Sequence, residues 1–121
     1  MKASEIINSV KELAPSSYTD RRMLDWLSEL DGQIWEEVIL THEGAPETAF
    51  TGHESPESEL LAAWPYAKSM YENYLKAKIA AEYAETERYN QCAALYAAAL
   101  RDFRNWYNRK HRPLGSRCMR I

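Results

Sequence analysis

Four glycines scattered singly along 121 residues cannot build a phosphate-cradling loop, which needs closely spaced glycines so that backbone amides converge on an anion. Long apolar runs are missing too. The longest, Cys92 to Leu100, has nine residues, against the roughly 20 that a membrane-spanning helix requires. The opening Met1-Lys2-Ala3-Ser4-Glu5-Ile6-Ile7-Asn8 meets an acid and an amide before any apolar stretch develops, so it lacks the pattern of a secretory signal. Cysteine is limited to Cys92, in an Ala-rich helical run, and Cys118, in a basic segment. Contexts so different fit a reduced intracellular pair better than a disulfide framework.

Catalytic constellations are equally scarce. His42-Glu43 and His53-Glu54 sit eleven residues apart in a polar stretch, whereas helical zinc enzymes place two histidines four apart with a glutamate between them. The expectation is two exposed loop histidines and no metal. Cys92, in Gln-Cys-Ala-Ala-Leu, reads as a small hydrophobe rather than an activated thiolate, since no base accompanies it. Glu36 and Glu37 are adjacent, so on a helix they point apart. No catalytic residue, metal ligand or cofactor is expected, and the chain does not read as an enzyme.

What is present is enough to fold. Hydrophobic residues make up 45% and charged residues 27%, which suits one domain with a modest core. Eight tyrosines and four tryptophans outnumber two phenylalanines. Rings with a polar tip tolerate half-buried positions, so the bias hints at a contact surface. The net charge of −3 conceals a division. Residues 101–121 carry seven bases (Arg101, Arg104, Arg109, Lys110, Arg112, Arg117, Arg120) and the single acid Asp102, while residues 1–100 carry eight bases and seventeen acids. An acidic body with a basic end speaks to partners, not to fold.

The apolar periodicity is helical. A first helix is expected from Ser4, its cap, to about Ala14, with Ile6, Ile7, Val10 and Leu13 on one face and Pro15 ending it. Thr19 is placed to cap a second helix, with Met23, Leu27, Leu30, Ile34 and Val38 on one stripe, broadened by Leu24, Trp26, Trp35 and Ile39. Gly32 falls inside that pattern, at a kink or a close crossing. Residues 41–65 hold two of the four glycines and three of the five prolines, the composition of a long loop, and connections of that length are often functional. Phe50 stands isolated in it, pinned to the core or presented to a partner; Leu60, Leu61 and Trp64 fold back on the domain before Pro65 opens the next helix. From Tyr66 to about His111 the pattern stays helical without a breaker. Tyr89, Ala93, Tyr96, Leu100, Phe103 and Tyr107 recur at fours and threes. One helix of that length would reach roughly 69 Å, so two helices with a turn near 84–88 are favoured over one with a wet middle.

The reading is therefore all-α: a small bundle of about four helices over residues 1–112, a long loop between the second and third, and a basic C-terminal tail, 113–121. Arg104, Trp106, Tyr107, Arg109, Lys110, His111 and Arg112 mix cations with rings, as nucleic-acid binders do. Phe103, Trp106 and Tyr107 nevertheless continue the core stripe, and the overall charge is negative.

Several stretches, in order along most of the chain, resemble a group of short helical proteins of tailed phages and prophages, the head–tail connector or adaptor (head-completion) proteins. They are Lys2-Ala3-Ser4-Glu5-Ile6-Ile7, Trp26-Leu27-Ser28-Glu29-Leu30-Asp31-Gly32, Phe50-Thr51-Gly52, Tyr74-Leu75-Lys76-Ala77-Lys78-Ile79, Arg88-Tyr89-Asn90 and Asn105-Trp106-Tyr107-Asn108-Arg109. The resemblance implies a structural role in virion assembly, in the bacterial host cytoplasm and then in the virion. A homo-oligomeric ring would sit on the portal protein, extend the DNA channel and receive a tail-completion protein, with no membrane and no specific DNA contact. It gives Arg109, Lys110, Arg112, Arg117 and Arg120 a docking role towards the portal, and Phe50, Thr51 and Gly52 a role as an assembly loop. The alternative is a small phage nucleic-acid-binding accessory protein using the same basic segment.

Overall fold

The structure, a computed structural model, describes residues 1–14 and 16–114; Pro15, Arg117, Cys118 and Arg120 lie outside the described residues. Among the described residues the chain folds as an all-α bundle of four α-helices.

Helix α1 spans Ala3–Leu13 and buries Ile6, Ile7 and Val10. Leu13 keeps the same phase but is 61% exposed; what it lacks is a partner, not periodicity. The helix starts one residue before the expected Ser4 cap. Its first amides, which have no partner within a helix, are met from the loop instead: Ala3 N–H donates to the Ser58 carbonyl at 3.0 Å and Ser4 N–H to that of Pro56 at 2.8 Å.

Helix α2 spans Asp20–Ile34, and the Thr19 hydroxyl caps it by accepting from Arg22 N–H at 3.2 Å. Met23, Leu27, Leu30, Ile34 and Val38 are all buried, as are Leu24, Trp26, Trp35 and Ile39. The helix continues into a π turn, Trp35–Ile39, where Leu40 N–H reaches back five residues to the Trp35 carbonyl at 2.9 Å. A wider turn changes the phase locally, and Trp35, Val38 and Ile39 all stay buried there. Gly32 marks no close crossing, since a Cβ at that position would meet nothing within 4 Å.

Two helices follow the loop, not one. Helix α3 spans Ala67–Glu82 and α4 spans Thr86–Lys110. They form an antiparallel hairpin around Tyr83-Ala84-Glu85. Ala84 takes a left-handed φ of 57°, while Glu85 N–H returns to the Ala80 carbonyl at 2.9 Å and Ala84 N–H to that of Ala81 at 3.2 Å. This is a Schellman stop with alanine where glycine is usual.

The core gathers α1, α2, the π turn and α3 around Tyr71, Met70, Leu75 and Leu27, and Phe103 joins from α4. Helix α4 packs chiefly along α3. Only Cys92 and Phe103 of its 25 residues are buried, so most of its surface is open.

Candidate functional site

Two buried histidines anchor the loop between α2 and α3, correcting the expectation that both would be exposed. His42 follows the end of the π turn, where four carbonyls lack helical partners. Its ring Nδ1 bonds the Val38 carbonyl, and Thr41 Oγ1 donates to the Glu37 and Val38 carbonyls at 3.0 and 2.9 Å. Because a carbonyl only accepts, Nδ1 carries the proton. The Nε2 lies 2.5 Å from the side-chain amide of Asn108 on α4, and the ring meets Tyr107 edge-on at 4.8 Å.

The second anchor is deeper. Asp31, fully buried on α2, accepts from Tyr71 Oη at 2.6 Å, from His53 Nε2 at 2.5 Å and from Leu61 N–H at 3.0 Å. His53 N–H donates to Ser28 Oγ at 2.9 Å, and Ala62 N–H donates to Tyr71 Oη at 3.0 Å. Three donors keep a buried carboxylate satisfied. Burial first, then the Asp31 charge and hydrogen bond, push the Tyr71 hydroxyl well above its ordinary range. An acid, an imidazole and a phenol in contact look like catalytic parts. They touch one another inside the core, and they line none of the surface hollows described here. Their arrangement fastens chain segments.

Between the two histidines, residues 43–52 form an arch over the surface. Glu43, Pro46, Glu47, Thr48, Ala49 and Thr51 are exposed. Phe50 is half-buried, with its ring edge-on to His53 at 5.0 Å. Gly52 has a φ of 112°, and a Cβ there would lie 3.9 Å from Ser28 Oγ. Of the suggested assembly loop, therefore, Phe50 and Gly52 are turned to the bundle and Thr51 to solvent. Beyond the arch the chain runs antiparallel to the N-terminus, with Met1 and Lys2 paired to Glu59 and Glu57 at 2.7 and 3.0 Å.

The basic end of α4 stands next to the first anchor. Glu43 N–H donates to the Arg112 carbonyl and Leu114 N–H to the Thr41 carbonyl, both at 2.8 Å. Residues 112–114 therefore lie against the start of the arch. His111 stacks on Tyr107 at 4.1 Å. Arg109, Lys110 and Arg112 are exposed, whereas Arg104 pairs with Glu37 at 2.7 Å. Basic residues in the last turn also suit the helix dipole. The neighbouring rings are engaged. Phe103 is fully buried and has Trp64, Trp106 and Tyr107 around it at 6.2, 6.3 and 5.9 Å.

A hollow of about 410 Å³ separates α2 from the α3–α4 hairpin, lined in part by Leu30, Ile34, Val38, Tyr74, Tyr96 and Leu100. The pairs Lys78–Glu29, at 3.7 Å, and Arg104–Glu37 span it. Burial lifts the Tyr74 hydroxyl to about 12 and raises that of Tyr96. Among the described residues no group of three or more histidine, cysteine or acidic side chains could hold a metal ion, and no helix is long and apolar enough to cross a membrane.

No protein-family model matches the chain, and none of the curated proteins or solved structures searched is similar to it.

Proposed function

We propose that this chain is a structural virion-assembly protein, a head–tail connector that forms a ring on a portal and joins capsid to tail. One observation carries the reading furthest. Arg109, Lys110 and Arg112 are exposed at the end of a 25-residue helix, and that end is fastened to the arch by backbone hydrogen bonds. A fixed cluster of cations steers and orients an acidic protein partner. The ordered likeness of six stretches to connector proteins supplies the setting. The buried fastening of Asp31, His53 and Tyr71 favours a scaffold over an enzyme, because its reactive groups face each other rather than a cleft. The engaged rings Phe103, Trp106 and Tyr107 leave little for bases to stack on, which favours a protein partner over nucleic acid.

The test is capture by the portal protein encoded near this chain's own gene. The full chain should bind it, and Arg109→Ala, Lys110→Ala and Arg112→Ala together should remove binding while helicity is unchanged. Capture unaffected by the triple substitution would remove the basic end from the role. A salt-dependent shift of duplex DNA lost in the same variant, with no capture by the portal, would move the protein to the nucleic-acid class.

A further inference from the structure

The α3–α4 hairpin carries opposite charges at its two ends. At the turn stand Glu82 and Glu87, both exposed, and Glu85, half-buried, with Arg88 beside them and paired to Glu85 at 3.5 Å. About 37 Å away, the length of 25 helical residues, stand Arg109, Lys110 and Arg112, which are exposed and pair with no acid among the described residues. The shapes are complementary as well. Beside the acidic turn lies a hollow of about 150 Å³ lined by Ala80, Ala81, Ala84, Glu85, Thr86 and Tyr89. That is about the space a single compact apolar group fills. Beside the basic end, Leu114 is 54% exposed and is held in place by its hydrogen bond to Thr41.

We infer that the partner of the hairpin turn is a second copy of this chain, docked head to tail: Leu114 of one copy enters the hollow at the turn of the next, and its flanking cations meet Glu85 and Glu87. The inference rests on the ring reading above and supplies the contact that reading needs; Leu114 and the glutamates of the turn belong to this contact alone, whereas the three cations serve the portal as well. The two surfaces differ and lie at opposite ends of one rigid element. In an end-to-end arrangement the contact is heterologous, and each copy keeps one surface open for another until the assembly closes. A two-fold pair of antiparallel hairpins would use both contacts at once and close as a dimer, so a wild type that stops at the dimer would overturn the end-to-end arrangement. The hollow has alanines on its floor, so a larger side chain there removes the space without touching the charges.

Sedimentation of the full-length chain tests the contact. Wild type should associate more strongly as protein concentration rises and as salt falls. Glu85→Lys with Glu87→Lys should weaken association at least tenfold, as should Arg109→Glu with Lys110→Glu and Arg112→Glu. Mixing the two reversed chains should restore association between unlike chains. Leu114→Asp should weaken it without altering helicity. The inference is overturned if wild type stays monomeric at every concentration, if neither reversal has an effect, or if the mixture fails to recover. Rings that form with the portal, but cross-link elsewhere than the turn and residues 109–114, would overturn this contact and leave the ring reading standing. Absence of rings with the portal would remove the ring reading itself.

Discussion

Asp31 Oδ2 and His53 Nε2 lie 2.5 Å apart in the interior, joining the last turn of α2 to a loop position 22 residues further along. The same carboxylate also takes the Tyr71 hydroxyl and the Leu61 amide, so one side chain organises α2, the loop and α3. Asp31→Ala would leave three donors without an acceptor, two of them buried. The expected loss is about 3 kcal/mol or more, read as a lower urea midpoint. Asp31→Asn, which keeps one acceptor but turns an NH₂ towards a donor, should fall between. A loss below about 1 kcal/mol for the alanine variant would show that the network is not what fastens the loop.

Alkaline pH should loosen the bundle. Burial raises the hydroxyls of Tyr71 and Tyr96 and takes that of Tyr74 to about 12. An unfolded tyrosine titrates near ~10. Between those values the folded chain holds more protons than the unfolded one, so stability falls as pH rises. It is complete below ~10 and is lost progressively as pH climbs through the folded values. Urea midpoints and tyrosinate absorbance measured together should show the decline, and Tyr74→Phe should reduce it. A midpoint that stays level across this range would refute the assignment.

Ala84 sits at a left-handed φ of 57°, a conformation that costs an L-residue roughly 1–2 kcal/mol and glycine almost nothing. Ala84→Gly should therefore raise stability by about 1 kcal/mol, offset in part by the greater freedom of glycine in the unfolded chain. Ala84→Val should lower it. Thermal melts suffice for the comparison, and a glycine variant less stable than wild type would contradict the Schellman geometry.

The glycines at 32 and 52 should respond in opposite directions. Gly32 lies inside α2 with open space where a Cβ would be, so Gly32→Ala should add up to about 1 kcal/mol. Gly52 has a φ of 112°, and alanine there should cost about 1–3 kcal/mol. Equal effects at the two sites would be inconsistent with the structure.

Much of the bundle was legible from spacing. Met23, Leu27, Leu30, Ile34 and Val38 repeat at threes and fours, and every one is buried. Thr19 precedes that stripe as a cap should, and caps it. The turn between α3 and α4 is signalled in the sequence only by the polar positions Glu82 and Thr86 in the apolar phase and by the length a single helix would reach. Its actual signal is a backbone conformation at Ala84 that alanine does not advertise. The π turn at Trp35–Ile39 was hidden for a similar reason: its residues fit an α pattern as well as a wider one. The histidines show the deeper limit. Nothing local marks His53 as buried, because its partners are Asp31 on one helix and, through that carboxylate, Tyr71 on another. An acid on an otherwise apolar face of α2 was the available clue, and it becomes decisive only once the loop is seen to return there. The basic cluster was readable from composition, but its attachment to Thr41 and Glu43 depends on long-range folding.

The arch is held at both feet by imidazoles whose bonds run to the helices, while residues 44–51 have no hydrogen bond of their own among the described residues. Length and sequence at residues 46–49, which are exposed, are thus uncoupled from the fold, whereas Phe50 and Gly52 are tied to the bundle. Short insertions, epitope tags or altogether different peptides placed at Glu47 or Thr48 should leave the bundle untouched, giving evolution, or an engineer, a site at which specificity can drift while the scaffold stays constant.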